Sequence, residues 1–251
     1  MRLATWNFLG GGSARRSAHW PLIESRLSPD VLFGQECRPP AAPSRFGVYA
    51  WRRVPGRAWG SGLFLSRGSL DRIPVRGFSG WVIGGELHRS LWLSGRPLRA
   101  FSVHCPAGEQ GYVKTMGLIL DRLRPIARGA DLVLGGDYNV AAGVRGEADL
   151  VKMGKPERAL LDRLGAEFDL VPCWQSMHPG VPLGQTLRWT GNRAMPYHCD
   201  GIFAPASWRA RLSSCEIASG PEWDALSDHN PVVAAFAGPQ PIGAPAAKRG
   251  R

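Results

Sequence analysis

The stretch Asp131-Leu132-Val133-Leu134-Gly135-Gly136-Asp137-Tyr138-Asn139-Val140 decides how the chain is read. Its apolar run over 132–134 has the length and composition of a buried strand, and the two glycines after it let the backbone turn sharply or a ligand come close. Asp137 and Asn139 stand at that strand's end. If the chain stays extended through Tyr138 their side chains share a face, because side-chain direction repeats every second residue. A carboxylate able to take a proton or a cation, beside an amide able to donate a hydrogen bond, suits the orientation of a water for attack on a charged substrate. An Asx-type turn is the competing reading of the same four residues.

The pattern recurs on both sides. Leu3-Ala4-Thr5-Trp6 reads as a first strand ending at Asn7. The loop Gly10-Gly11-Gly12 follows, and Ser13 caps a helix that buries Trp20, Ile23 and Leu27 and ends near Ser28-Pro29. Val31-Leu32-Phe33-Gly34-Gln35-Glu36 is a second apolar strand, with Glu36 at its rim. Arg99-Ala100-Phe101-Ser102-Val103 is another and delivers His104. Val113, Met116, Leu120 and Leu123 recur at helical spacing within 110–127, and a shorter helix is expected over 157–168.

Tyr197-His198-Cys199-Asp200-Gly201-Ile202-Phe203-Ala204 reads as a strand with Asp200 in its interior, where a carboxylate needs a partner. Residues 186–189 and 208–218 also read as strands. A final strand follows Ser227-Asp228-His229-Asn230-Pro231, proline being tolerated at its start. Short candidates at 49–51, 63–65, 81–83 and 91–93, separated by Gly, Pro and Ser, suggest antiparallel sheet. Between the first two of these, Arg52, Arg53, Arg57 and Trp59 crowd a Gly/Pro loop suited to gripping a phosphate chain and stacking a base.

The 251 residues can bury one large core, expected over 1–237. The Pro/Ala/Gly-rich segment 238–251, ending Lys248-Arg249-Gly250-Arg251, is expected to be a disordered basic tail. A net charge of +11 and a pI near 10.2 favour a polyanionic partner, nucleic acid foremost, with coding bias toward arginine as the competing explanation. Five cysteines are an odd number without tight Cys-x-x-Cys spacing, no secretory signal precedes the first strand, and no apolar run reaches membrane-spanning length. A reduced, cytoplasmic protein without stable membrane association is therefore expected. No protein partner can be inferred, and a monomer is the expectation. The pairs His104-Cys105 and His198-Cys199 lack zinc-finger spacing.

In chain order, Thr5-Trp6-Asn7, Gln35-Glu36, Ser61-Gly62-Leu63-Phe64-Leu65-Ser66, Val103-His104, Gly136-Asp137-Tyr138-Asn139, Asp200-Gly201-Ile202-Phe203 and Ser227-Asp228-His229-Asn230-Pro231-Val232 resemble the endonuclease/exonuclease/phosphatase superfamily. The resemblance runs from residue 3 to about 236; Gly-Asp-x-Asn and Ser-Asp-His-x-Pro-Val are its specific parts. It implies a four-layer α/β sandwich, two mixed β-sheets face to face with helices outside. It also implies a divalent cation, Mg2+ or else Mn2+, held by Glu36 with Asn7 and Asp228.

The implied catalytic set is His104, Asp137, Asn139, Asp200 and His229. His229 touches the scissile phosphate and Asp200 accepts its other ring N–H. Asp137 prepares the water, Asn139 holds Asp137 or a phosphoryl oxygen, and His104 stabilises developing charge. The implied reaction is in-line hydrolysis of a phosphodiester in DNA or RNA. A phosphatase or phospholipase of the same fold, acting on a phosphorylated lipid, inositol or nucleotide, and a non-catalytic polyanion binder are the alternatives. Two departures stand out. Gly201 follows Asp200 where relatives often carry an aromatic, which is expected to loosen its packing. Gly60, Ser61 and Gly62 occupy the place of a glutamate that pairs with the counterpart of His104 in secreted deoxyribonucleases.

Overall fold

Along each central strand, alternate residues change from apolar to polar toward one end. In β1 (Arg2–Asn7) the inward positions run Leu3, Thr5, Asn7, while Ala4 and Trp6 face out. The computed structural model describes residues 1–10, 18–41, 44–88 and 95–238. Gly11, Gly12, Ser13, the strand expected over 91–93 and residues 239–251 lie outside the described residues.

After β1 come α1 (His19–Leu22), which runs on as a π-helical turn over Ile23–Leu27, then β2 (Val31–Cys37), β3 (Val48–Arg53), β4 (Gly60–Leu65) and β5 (Ser69–Arg72). The next elements are β6 (Val82–His88), β7 (Leu98–His104), α2 (Tyr112–Ala127), β8 (Asp131–Asp137), α3 (Lys155–Phe168), β9 (Leu170–Pro172) and α4 (Cys173–Met177). The chain closes with β10 (Asp200–Pro205), a 3-10 helix (Ala206–Arg211), β11 (Leu212–Ile217), α5 (Pro221–Asp224) and β12 (Val232–Phe236).

Among the described residues two six-stranded sheets result, in the orders β11-β12-β1-β2-β4-β3 and β5-β6-β7-β8-β10-β9. Each is mixed, because β1 pairs with β2, and β7 with β8, in parallel while the other neighbours run antiparallel. Val31, Phe33 and Leu63 of one sheet meet Ala100, Val133 and Ile202 of the other in the inter-sheet core. On the second sheet's outer face, Met116, Ile119 and Leu120 of α2 and Leu160 and Leu164 of α3 cover Phe101, Leu132 and Leu134. On the first, Trp20, Ile23 and Trp223 cover Trp6, Leu32 and Phe64. This is the expected four-layer α/β sandwich.

Four local readings are corrected. Residues 186–189 make only isolated bridges, from Leu187 to Tyr197 and to His229, because their backbone groups bond to loops rather than to a strand. Asp200 is the first residue of β10, not an interior one. The segment 208–218 begins as the 3-10 helix, which follows Pro205 and swings Trp208 into the core, where its indole N–H donates to Asp131 at 3.0 Å; only β11 is strand. The helix expected at 157 starts two residues earlier, with Pro156 in its first turn, where proline's missing N–H costs nothing.

Gly135 lets the sheets close, since a Cβ there would lie 2.3 Å from the Phe33 ring. Gly135→Ala is therefore expected to cost about 1–3 kcal/mol by overpacking. Gly47→Ala, where nothing lies within 4 Å of the added carbon, should stay within about 0.5 kcal/mol of the parent. Urea unfolding of the two variants checks this, and equal midpoints would contradict the packing.

Candidate active site

The polar strand ends converge between the sheets. Asp137, 1 % exposed at the end of β8, accepts from Asn7 Nδ2 of the opposite sheet at 2.9 Å and from the Asn139 backbone N–H at 3.0 Å. The latter is an Asx turn, and Asn139 has φ 51°, so the chain does not stay extended through Tyr138. The turn reading holds, and the turn leaves the Asp137 carboxylate among the other polar strand ends. The Asn139 side chain donates to Cys105 O at 3.0 Å and reaches Asp137 Oδ2 only at 3.5 Å. Beneath this group Gln35 Nε2 donates to Ser102 Oγ at 2.9 Å, and Ser102 Oγ donates to Gly34 O at 3.0 Å, which joins the sheets through buried polar groups.

Glu36 reaches the same space by a backbone device. One extra residue in β2 between its pairings at Gly34 and Cys37 forms a bulge, and Glu36 has φ 47°. A bulge re-aims a side chain that regular alternation would send to the other face. Glu36 Oε2 accepts from Gly10 N–H at 2.9 Å, and Oε1 lies 3.8 Å from His104 Nε2. Burial raises the carboxyl's pKa against the Gly10 hydrogen bond, with Asp137 adding to the rise.

His104 Nε2 also lies 3.8 Å from Asp137, while its buried Nδ1 makes no hydrogen bond to the described residues. Burial lowers its pKa to about 4 in spite of Asp137. The ring packs against Trp59 and Trp81, at centroid distances of 5.5 and 5.0 Å. Ser61 donates to Trp81 O rather than to His104.

His229 Nδ1 faces both oxygens of Asp200, at 2.9 and 3.1 Å, leaving Nε2 3.9 Å from Asp137 and 3.9 Å from Asp228. Burial opposes the imidazolium, yet Asp200 and Asp137 outweigh it and raise the pKa to about 10. The expected looseness at Gly201 is absent. A Cβ there would meet Ala142 at 2.9 Å and the Tyr138 ring at 3.9 Å, and the Tyr138 hydroxyl donates to Gly201 O at 3.4 Å.

Of the basic loop, Trp59 belongs to the site wall, with Arg57 over its ring at 5.8 Å. Arg52 and Arg53 are exposed on β3, the edge strand of its sheet. Sequence reasoning missed Tyr112, whose phenol at the start of α2 is raised by burial and by the charge of Asp137. It also missed the buried Thr186 and Arg188. Their one clue was polarity inside an otherwise strand-like segment.

The carboxylate oxygens of Glu36 and Asp228 are donors of the kind a divalent cation takes. Asp228 Oδ1 is buried without a hydrogen-bond partner among the described residues, and hard cations take carboxylate oxygens. Asn7 Oδ1 already accepts from Leu9 N–H at 2.9 Å and keeps one lone pair. Asp137, Cys199, Asp200 and His229 also offer ligand atoms within 4.8 Å of one another. Their chemistry is that of a hydrogen-bonded string rather than a cage. The Cys199 thiol donates to Asp200 at 3.5 Å and burial raises its pKa well above the thiol range, and His229 Nδ1 is committed to Asp200.

Because the folded His229 pKa lies above the unfolded value of about 6.5, the native metal-free protein holds the extra proton between the two. Its contribution to stability is full below pH 6.5 and is lost as pH rises through about 10. Urea midpoints of the metal-free protein should fall over that range, and His229→Gln should flatten the decline. An equal decline in the variant would rule out this assignment.

No protein-family model and no curated protein sequence matches the chain. Solved structures do. The chain is similar to the catalytic domain of APE2 from Xenopus laevis, with TM-score 0.71 and 17 % identity over 98 % of this chain and 94 % of that one. An AP endonuclease from Archaeoglobus fulgidus gives 0.67 and 19 %, covering 94 % and 99 % of the two chains. The 3′ phosphatase NExo from Neisseria, bound to product DNA hairpin, gives 0.66 and 20 % over 94 % and 99 %. At such identities the likeness is one of architecture: the chain has the DNase-like α/β-sandwich fold that these structures share.

Proposed function

We propose that the protein is a divalent-cation-dependent phosphodiesterase that hydrolyses nucleic acid by in-line attack of water. The observation that carries this reading is the buried Asp137 carboxylate 3.9 Å from the Nε2 of a cationic His229, whose Nδ1 is fixed by Asp200. A base and a cationic donor side by side suit a water and a phosphoryl oxygen held together. Asp137, kept in place by Asn7 and the Asn139 turn, orients the water and takes its proton. His229 donates from Nε2 to a phosphoryl oxygen, and Asp200 sets its tautomer and stabilises its charge. The neutral His104 donates to the phosphoryl or leaving oxygen. Glu36 and Asp228, with Asn7, would hold the cation, Mg2+ or Mn2+, which supplies charge neutralisation of the phosphoryl group.

The basic balance, the Arg57–Trp59 stack and the exposed Arg52 and Arg53 support a polynucleotide substrate, as do the names of the similar endonucleases. A phosphomonoester is the second reading, favoured by the similar 3′ phosphatase. All five cysteines are free and buried, which supports a reduced, cytoplasmic setting. No helix among the described residues is long and apolar enough to cross a membrane.

The test is a panel of labelled single- and double-stranded DNA, RNA, abasic DNA, 3′-phosphorylated DNA and inositol phosphates, with Mg2+ and with chelator. Cleavage of a polynucleotide is expected, abolished by chelator and weakening steeply with salt, because bound phosphates release counterions. Asp137→Ala and His229→Ala should each lower turnover by about 10^3-fold or more. Cleavage that survives chelation, or variants with undiminished turnover, would overturn the proposal.

A further inference from the structure

Residues 185–189 form no strand, yet they tie together the two segments that carry the Asp200–His229 pair. The buried Thr186 hydroxyl accepts from the backbone N–H groups of both Cys199, at 3.0 Å, and Asp200, at 3.1 Å. Thr186 O accepts from Asn230 N–H at 2.7 Å, and Arg188 N–H donates to Asp228 O at 2.8 Å, so one short segment holds the backbone on both sides of His229. The Arg188 guanidinium completes the clamp, donating to Ser227 O at 2.6 Å and to Asn230 Oδ1, and pairing with Asp224 at 3.1 Å. Asn230 Nδ2 in turn donates to Gln185 O at 3.1 Å. Ser227, the far end of the clamped loop, donates to Asn7 O at 2.7 Å, which carries the tie into β1.

We infer that this strap is a positioning device, in which Thr186 sets the place of Asp200 and Arg188 sets the place of the Asp228–His229 loop. The inference takes its catalytic meaning from the function proposed above. Neither residue touches the reacting atoms. Each acts through a backbone segment that presents a charged side chain to the site, and a small displacement of such a side chain is enough to misalign a reaction.

Two readouts test it. One is the proton resonance of the His229 Nδ1–H bonded to Asp200, identified by its absence in Asp200→Asn. The other is the split between kcat and KM on whichever panel substrate is cleaved. Thr186→Val keeps the shape and deletes the acceptor. It should shift or abolish the His229 resonance and lower kcat by about 10- to 100-fold, with KM changed by no more than about twofold. Thr186→Ser should restore both. Arg188→Met, which deletes the ties to Ser227 and Asn230, should show the same split and gives the reading if Thr186→Val does not fold.

Folded variants with the parental resonance and kcat, or a loss of stability without either change, would overturn the inference. A parent chain that cleaves nothing on the panel would sink the proposed function instead, while the resonance would still decide whether the strap positions the pair.

Discussion

A carboxylate buried between two sheets has to be satisfied, and the cross-sheet hydrogen bond from Asn7 to Asp137 is where this protein does it. Asp137 is almost completely removed from solvent, and an isolated ionised group there would be costly. Its cost is offset by donors from β1 and from its own turn, and by the imidazolium of His229 close by. Because Asn7 and Asp137 belong to different sheets, the bond also sets how the sheets meet at that end. Their spacing is matched further in by Gln35 and Ser102. The inter-sheet space therefore has two regimes: an apolar core that holds the layers together, and a hydrogen-bonded end where charge can be kept.

The candidate site is the end of the core, and its residues were legible as polar side chains closing apolar strands and as matches to the family's motifs. Leu3-Thr5-Asn7, Val133-Gly135-Asp137 and Ala100-Ser102-His104 each read inward and end in a chemically capable residue. The layers came from the family resemblance instead, and the structure shows the intervening residues Trp6, Leu32 and Leu134 packed under the helices. Glu36 is different. Its aim depends on a bulge and a left-handed backbone at a residue whose type does not require one, and no period in the sequence announces it. Its rim position was readable, but its route into the pocket was not.

The strap was the least legible part. Thr, Leu, Arg and Trp in succession have the composition of a strand, and propensity describes how well residues fit a pleated surface rather than whether a sheet is there to receive them. Here both sheets were already complete, and the segment's backbone groups went to the loops that carry Asp200 and His229. The 3-10 helix before β11 misled for a related reason, because Trp208 is buried like a strand residue but arrives on a turn. Of the four residues grouped as a basic loop, burial separated Trp59 from the arginines, a distinction that composition does not contain.

The first sheet places β1 between β2 and β12, and the amino-terminal ammonium donates to Phe236 O at 2.8 Å. A central strand thus waits for a neighbour made more than two hundred residues later. Pairings of such long range close slowly, since the entropy of the intervening chain must be given up first. The loop bearing His229 is the last stretch before that neighbour, so a nascent chain still short of β12 has Asp137 without its imidazolium. The order of synthesis thereby keeps the charged pocket unassembled until the segment that forms β12 has been made.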